Sequence, residues 1–132
     1  MSKEQALLAA VGEASQRWKQ GFNSQNAKVC AQQYEVTATM HARPFGEFTG
    51  REQIEAFWQG LMEQGFDDVD YIEPQLEVLD DKTVQLRSQW QMNKAYGVIH
   101  KELWIMQADG CARLSHDDFE VLGEREVNTK AD

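Results

Sequence analysis

A histidine and a carboxylate stand two residues apart among large hydrophobic side chains in GVIHKELWIMQ, residues 97–107. Side chains two positions apart in a β-strand share a face, so we expect His100 and Glu102 to reach one bound ligand. Apolar surroundings raise the pKa of a carboxyl group, which predicts Glu102 as a neutral donor or a base near neutral pH. His100 could then move a proton. The alternatives are a salt bridge from Glu102 to Lys101 or Arg87 and a purely structural His100.

The run His116-Asp117-Asp118 near the end of the chain is a second cluster of titratable side chains. Alternation with Phe119 and Val121 predicts that Asp117 faces inward, while His116 and Asp118 face the other side. A single bulge would invert this assignment. The alternative interpretation is a solvated acidic edge.

The first part of the chain has the periodicity of helices. A capping box at Ser2 and Gln5 predicts a helix that ends at about residues 21–23. Ser24 is expected to cap a shorter helix, and residues 36–40 read as a short strand before the turn at 44–46. A second capping box, Thr49 to Glu52, predicts a helix that Gly65 ends in a left-handed conformation.

Beyond residue 65 the hydrophobic period changes to two, which is typical of strands. Four strands are predicted over 71–79, 84–92, 98–106 and 112–122, separated by turns at 80–82, 95–97 and 109–110. Pro74 indicates a bulge or an edge strand. Helices followed by an antiparallel meander predict an α+β fold in which the sheet curls over the helices.

Size and charge limit the classes of function. A chain of 132 residues is expected to form one domain, with a core over about 3–122 and a frayed tail over 124–132. The net charge of −9 argues against nucleic acid and anionic membranes as partners. Cysteine and histidine spacings predict no metal site, and no apolar run has the length of a signal peptide or a membrane span. We expect a soluble, cytoplasmic protein.

The order of these elements, with RW at 17–18, PFGEFTGREQIEAFW at 44–58 and DGCARL at 109–114, resembles the NTF2-like superfamily. Within it the chain looks like the steroid delta-isomerase and SnoaL-like (polyketide cyclase-like, DUF4440-like) branch. The resemblance implies a cystatin-like cone of N-terminal helices on a strongly curved antiparallel sheet. Similar proteins include isomerases, cyclases, dehydratases, epoxide hydrolases and non-catalytic association domains, so the fold does not fix the function.

Site residues of the family carry over only in part. The steroid isomerases have an aspartate base before the Pro-Phe-Gly turn, where residues 40–44 contain no carboxylate and His41 is the best substitute. Alternation with Met40 could equally turn His41 to solvent. The oxyanion-hole tyrosine of the steroid isomerases matches Trp18, which can donate a hydrogen bond but cannot exchange a proton. The protonated aspartate of the same oxyanion hole matches Glu102. The late-strand acid/base of SnoaL-like proteins matches Asp117.

Large side chains in these elements are expected to line a pocket for a hydrophobic molecule or, alternatively, to form ordinary core. They are Trp18, Met40, Phe57, Trp58, Trp90, Met92, Trp104 and Met106. On the outer face of the sheet, Ile99, Leu103 and Ile105 need a cover, and a homodimer would supply it.

The leading hypothesis is an enzyme that transfers protons on a hydrophobic molecule, by isomerisation, dehydration or cyclisation, without a metal or organic cofactor. Glu102 would polarise an oxygen, Trp18 would help to bind it, and His41 or Asp117 would move the proton. A ligand-binding or association module without catalysis is the main alternative. A third, an adaptor for a basic protein, rests only on the acidic charge.

Overall fold

A pair of helices opens the part of the chain that the computed structural model describes, residues 2–125. The elements follow in the order α1 (Lys3–Asn23), α2 (Ala27–Gln32), β1 (Tyr34–Arg43), β2 (Gly46–Thr49), α3 (Arg51–Glu63), β3 (Asp70–Val78), β4 (Thr83–Gln91), β5 (Ala95–Met106) and β6 (Ala112–Glu124). The helices and the sheet together bury the large apolar side chains, which gives the predicted α+β architecture.

The capping box at the start of α1 is confirmed. The Ser2 side chain accepts a hydrogen bond of 3.0 Å from the Gln5 amide, and the Gln5 side chain accepts one of 3.2 Å from the Ser2 amide. Gly65 has φ of 91° just after α3, as its position predicts, because this conformation strains any residue with a Cβ atom. Local sequence signals thus fix both of these helix ends.

Two other predicted caps are wrong. Asn26 rather than Ser24 caps α2, since its side chain accepts a hydrogen bond from the backbone three residues later. Gly50 rather than Thr49 is the N-cap of α3, and no side chain caps this helix. The predicted box between Thr49 and Glu52 therefore does not form. The chain leaves β2 at Thr49, which places the first helical residue one position later than the motif requires.

The six strands of residues 2–125 form one sheet in the order β2-β1-β6-β5-β4-β3. Pairing is antiparallel between β3, β4, β5 and β6, as predicted, but β1 lies parallel to β6, so the sheet is mixed. No tight turn connects β1 to β6, because α3 and four strands lie between them, so turn chemistry could not reveal their relative direction. Strand β3 lies at the edge, and its register shifts beside Pro74, which confirms that prediction.

Of two predicted turns, the one at residues 44–46 forms and the one at residues 95–97 does not. The turn at residues 44–46 belongs to a hairpin, because residues 46–49 form the short strand β2 against β1. No turn forms at residues 95–97, because these residues belong to β5. Ala95 pairs with Glu124 of β6, and Gly97 pairs with Val121. Glu124 therefore ends a strand and is not part of a frayed tail. Residues 126–132 of the predicted tail lie outside the described residues.

A bulge in β5 decides which of its side chains face the helices. The register against β6 shifts between Ile99 and Lys101, so the alternation of side chains breaks at this point. Ile99, predicted to face outward, is buried, and His100 is exposed. Glu102 resumes the inward face and is buried. The prediction that His100 and Glu102 share one face is therefore wrong.

The helices of residues 2–125 include none that is long and apolar enough to cross a membrane.

Candidate active site

A cavity of about 290 Å³ lies between the helices and the inner face of the sheet. Apolar side chains from α1, α3 and the strands make up most of its wall, among them Trp18, Trp58, Trp90 and Phe119. This volume is close to the lower end of the range for small-molecule sites. The cavity is therefore of a size and character that suit a compact hydrophobic molecule.

Two carboxyl side chains face each other in this apolar wall. Glu102 of β5 and Asp117 of β6 are directly paired across the two antiparallel strands, and each is only 4% exposed. Side chains at such positions share a face and lie within contact range. The inward orientation of Asp117 that its alternation with Phe119 predicts is observed. The sheet thus brings together two titratable groups that are 15 residues apart in sequence.

Within residues 2–125, each carboxyl group accepts one hydrogen bond. The indole Nε1 of Trp104 donates to Oε1 of Glu102 over 2.8 Å. The hydroxyl of Tyr34 donates to Oδ2 of Asp117 over 2.6 Å. The other oxygen of Asp117, Oδ1, is buried and has no hydrogen-bond partner within residues 2–125. Neither carboxyl group has a cationic partner among the ion pairs of this part of the chain, so no nearby positive charge favours the ionised form.

Burial raises the pKa of both carboxyl groups. The pKa of Glu102 is raised well above its usual range, first by burial and then by the charge of Asp117, against a smaller opposing effect of the Trp104 hydrogen bond. Burial raises the pKa of Asp117 to about 7, although the hydrogen bond from Tyr34 opposes it. Two close carboxylates cannot both ionise easily in an apolar site. The pair therefore holds a proton at neutral pH, mainly on Glu102.

Tyr34, which is buried, and Tyr71, which is partly buried, complete this polar cluster, and the sequence did not single them out. Burial raises the pKa of Tyr34 well above its usual range, as do the charge and hydrogen bond of Asp117, while the neighbouring Trp58 lowers it slightly. Burial and the charges of Glu102 and Asp117 raise the pKa of Tyr71, which lines the cavity. Both phenols stay protonated and can donate hydrogen bonds. Tyr34 was missed because its pattern fits the α2 face, whereas it begins β1.

The predicted histidine bases do not reach the cavity. His41 lies on the face of β1 opposite to Met40, with Nδ1 3.9 Å from Glu47. His100 is exposed and its Nε2 lies 2.9 Å from Oε1 of Glu120. Strand alternation turns the first histidine outward and the bulge in β5 turns the second. Among the proposed proton carriers, Asp117 alone faces the cavity.

Half of the predicted binding residues line the cavity. Trp18, Trp58, Trp90 and Met92 do so, but Met40, Phe57, Trp104 and Met106 do not. Met40 and Trp104 are fully buried beneath the carboxyl pair, where Met40 contacts the Tyr34 hydroxyl. Phe57 and Met106 pack against the core. Met40 and Trp104 are thus core residues, and Phe57 and Met106 are partly buried against the core.

The indole nitrogen of Trp18, expected to donate to a ligand, is buried without a hydrogen bond among the described residues, as are those of Trp58 and Trp90. Their rings contribute flat apolar surface to the cavity. Trp18 packs edge-on against Trp58 at 5.0 Å between ring centroids, a favourable aromatic geometry. Trp18 therefore shapes the cavity through its ring in this conformation.

Residues 2–125 contain no group of three histidine, cysteine or acidic side chains that could hold a metal ion. Cys30 is buried and Cys111 is partly buried, and both are free thiols. The titratable side chains that line the cavity are Glu102, Asp117, Glu124 and Tyr71, and Tyr34 lies against Asp117.

No protein-family model matches this sequence, and no curated protein matches it. Solved structures do match this chain. A ketosteroid isomerase-like protein from Erwinia carotovora atroseptica SCRI1043 has a TM-score of 0.75 at 13% identity, over 88% of this chain and 96% of that chain. Hexachlorocyclohexane dehydrochlorinase LinA-type3 from Novosphingobium barchaimii LL02 has a TM-score of 0.79 at 13% identity, over 97% and 94%.

An NTF2-like protein of unknown function from Pseudomonas putida KT2440 is also similar, with a TM-score of 0.73 at 11% identity, over 91% of this chain and 88% of that chain. The chain has the NTF2-like fold, which confirms the fold that the sequence motifs imply. At these identities the likeness concerns the fold. Enzymes and proteins of unknown function share it, so the activity must be argued from the cavity.

Proposed function

We propose that this protein transfers a proton on a hydrophobic small molecule bound in the cavity, as in an isomerisation, dehydration or cyclisation. The observation that carries this proposal is the buried pair of Glu102 and Asp117 in a mostly apolar wall. Burial of a carboxyl group costs free energy, and buried carboxyl groups with raised pKa values are typical of functional sites. At neutral pH Glu102 keeps its proton and provides the acid, while Asp117 loses its proton near pH 7 and provides the base.

The two carboxyl groups take different roles in this mechanism. Asp117 in its ionised form accepts a proton from a carbon next to a carbonyl group, and the electron pair of the broken C–H bond moves onto the carbonyl oxygen. Glu102 in its protonated form donates a hydrogen bond to that oxygen. Return of the proton to another carbon gives isomerisation, and loss of a β-hydroxyl group with a proton gives dehydration.

The names of two similar structures agree with this chemistry. One protein is described as ketosteroid isomerase-like, and the other is a hexachlorocyclohexane dehydrochlorinase. A dehydrochlorinase removes hydrogen and chlorine from its substrate, so it too must break a C–H bond. These names support proton transfer within the fold, while the roles of Glu102 and Asp117 rest on the geometry of this chain alone.

Exchange of carbon-bound hydrogen for deuterium tests the proposal without knowledge of the natural substrate. We expect the protein to accelerate exchange next to the carbonyl of β-tetralone in deuterium oxide, measured by NMR. Glu102→Gln should lower this rate by roughly 10²-fold or more, since a preorganised donor to the oxygen is lost. Glu120→Gln is the matched control, because Glu120 pairs with exposed His100 outside the cavity.

Equal exchange rates for wild type and Glu102→Gln would refute the role of Glu102, provided that circular dichroism shows both proteins to be folded. Binding without exchange favours the second candidate, a ligand-binding module. The position of all three histidines away from the cavity is the observation that favours this candidate. Quenching of tryptophan fluorescence by β-tetralone would reveal such binding, because three of the four tryptophans line the cavity.

We also propose that two copies associate through the outer face of the sheet. Ile99, one of the three residues that suggested this interface, is buried inside. Leu103 and Ile105 remain on the outer face and are partly exposed. They lie on the same side as polar groups such as His100 and Glu120. Mixed surfaces of this kind are typical of separable rather than obligate interfaces.

A further inference from the structure

Three arginine side chains line one cleft outside the cavity. Arg17 of α1, Arg51 at the start of α3 and Arg113 of β6 surround a space of about 340 Å³, together with Cys111 and the glutamines at the end of α2. None of these residues lines the cavity of the carboxyl pair. The chain has six arginines and a net charge of −9, so this cleft gathers half of them on an acidic protein.

Two of these arginines are held by neutral groups. Nε of Arg17 donates to Oε1 of Gln33 over 3.3 Å. Nε and Nη2 of Arg51 donate to the backbone carbonyl of Tyr34 over 3.2 and 2.6 Å. Neither forms an ion pair within residues 2–125. A guanidinium group carries five N–H donors, so both side chains are fixed in place while part of their hydrogen-bonding capacity stays unused.

Arg113 has the one carboxylate partner of the group. Its Nη2 lies 3.0 Å from Oδ2 of Asp109, and its Nε donates to the carbonyl of Gln32 over 3.3 Å. The hydrogen bond and charge of Arg113 lower the pKa of Asp109, so this carboxylate stays ionised. Among residues 2–125, Asp109 is the one carboxylate in ion-pair contact with these three arginines. The electrostatic field in the cleft is therefore positive. The three guanidinium groups repel one another, and a bound anion would relieve this repulsion.

We propose that this cleft binds a small molecule through an oxyanion, either a phosphoryl or a carboxylate group. The planar guanidinium groups can bind such oxygens with paired hydrogen bonds, and glutamine amides add neutral donors. The site is independent of proton transfer in the cavity. It is also half-buried, because all three arginine side chains are partly shielded from solvent.

The direct test is an NMR titration of the arginine side-chain N–H signals with inorganic phosphate and, separately, with succinate at constant ionic strength. We expect saturable shifts of the Arg17, Arg51 and Arg113 signals with at least one of the two anions. Saturation with phosphate alone identifies a phosphoryl site, and saturation with succinate alone identifies a carboxylate site. Absence of saturable shifts with both anions would overturn the proposal.

Arg17→Gln is the informative variant, because it leaves the contact of Arg51 with β1 intact. Loss of one charge-assisted contact should weaken binding about tenfold. Arg87→Gln is the matched control, since Arg87 is exposed on the outer face and the change of charge is the same. Equal weakening in both variants would mean general attraction of anions by charge, and the proposed site would then be rejected.

A thiol reaction provides a second measurement. Cys111 lines the cleft and is partly exposed, whereas Cys30 is fully buried. Modification of the folded protein by neutral iodoacetamide should therefore report on Cys111, as peptide mass spectrometry can verify. The anion that saturates the NMR shifts should slow this modification in wild type and in Arg87→Gln. An unchanged rate at saturating anion would contradict binding inside the cleft.

Discussion

The proton that the buried pair of Glu102 and Asp117 keeps at neutral pH, mainly on Glu102, is the main chemical feature at the scale of single residues. Burial destabilises the charge on each group, the charge of Asp117 raises the pKa of Glu102 further, and the charge of Asp118 raises that of Asp117. Tyr34 partly offsets this for Asp117, and Trp104 does so for Glu102. The pair therefore titrates as one unit, and its apparent pKa values belong to both groups. This arrangement disfavours the doubly ionised state that ordinary acidic residues adopt at neutral pH.

The pKa of Asp117 predicts how stability depends on pH. In the unfolded chain this group loses its proton near its ordinary value of 3.8, but in the folded protein it keeps the proton up to about 7. The unfolded state thus binds fewer protons in this range, so the free energy of unfolding falls as the pH rises from about 4 to about 7. The total decrease is at most ~4 kcal/mol.

Asp117→Asn should remove most of this decrease, because asparagine has no proton to release. Urea denaturation at a series of pH values is the measurement. We expect the variant to be more stable than wild type above about pH 7 and to lose this advantage near pH 4. Some slope should persist, since Glu102 has a raised pKa as well. Parallel stability curves for the two proteins would contradict the assigned pKa of Asp117.

Tyr34→Phe tests the donor to Asp117. Loss of the hydroxyl removes a hydrogen bond that lowers the pKa of Asp117, so that pKa should rise further. The rising limb of the pH profile for β-tetralone exchange should move to higher pH. Stability should fall by ~1–3 kcal/mol where Asp117 is charged. Tyr71→Phe is the control, because it also loses a phenol hydroxyl but one that does not bond to Asp117, and it should leave the pH profile unchanged. Identical shifts in both variants would count against Tyr34 as the specific donor.

At the scale of elements, irregularities in β5 position the carboxyl pair. Its register against β6 shifts before Glu102 and again between Leu103 and Trp104. Bulges bend a strand and change which side chains face the core. Here the first bulge excludes His100 from the cavity and admits Ile99. Because of this bulge, the titratable side chain that β5 presents to the cavity is the carboxyl group of Glu102 and not the imidazole of His100.

Gly97 shows how tightly β5 packs in the region before this bulge. A Cβ atom at this position would overlap the backbone carbonyl of Glu120 and lie 2.5 Å from the Trp90 ring. Gly97→Ala should therefore destabilise the protein by ~1–3 kcal/mol, measured by urea denaturation, because the ring and strand must shift. It should also change the cavity wall, of which Trp90 forms a part.

Gly12→Ala is the opposite case and serves as the control. Gly12 is exposed in α1, and a Cβ atom there would contact nothing. Alanine favours the helix, so stability should increase by ~0.5–1 kcal/mol. Equal effects of the two substitutions would mean that the close contact at Gly97 does not restrict the strand.

At the scale of the whole molecule, the acidic charge is unevenly distributed. The inner cavity holds carboxyl groups that resist ionisation, and the arginine cleft forms a positive site elsewhere on the surface. The net charge of −9 alone suggested only that anionic polymers are poor partners. A small anion can still bind where the local field is positive. Net charge therefore predicts long-range behaviour better than it predicts individual binding sites.

The proposed dimer is a prediction at this scale. Sedimentation velocity should show a dimer that dissociates on dilution. Leu103→Glu should shift it toward the monomer, because a charge would enter the apolar part of the interface. Val36→Glu is a suitable control, since Val36 is an exposed apolar residue of β1, two strands away from Leu103. A monomer at all concentrations in wild type would refute the interface.

Periodicity and local motifs were sufficient to predict the helices, the four late strands and the α+β class, because these depend on neighbours in sequence. They also placed Glu102 and Asp117 on the inner face. The bulge between Ile99 and Lys101 left no clear signal, since a single extra residue keeps the hydrophobic pattern plausible in either register. The same uncertainty reversed the predicted position of His100.

Sequence alone determined which side chains could be buried and which could titrate. Only the tertiary structure decided which of them meet. Tyr34 and Asp117 are 83 positions apart, and they touch because β1 lies parallel to β6. Arg17, Arg51 and Arg113 converge from two helices and a strand. Such contacts depend on the packing of distant elements, and no local pattern of residues encodes that packing by itself.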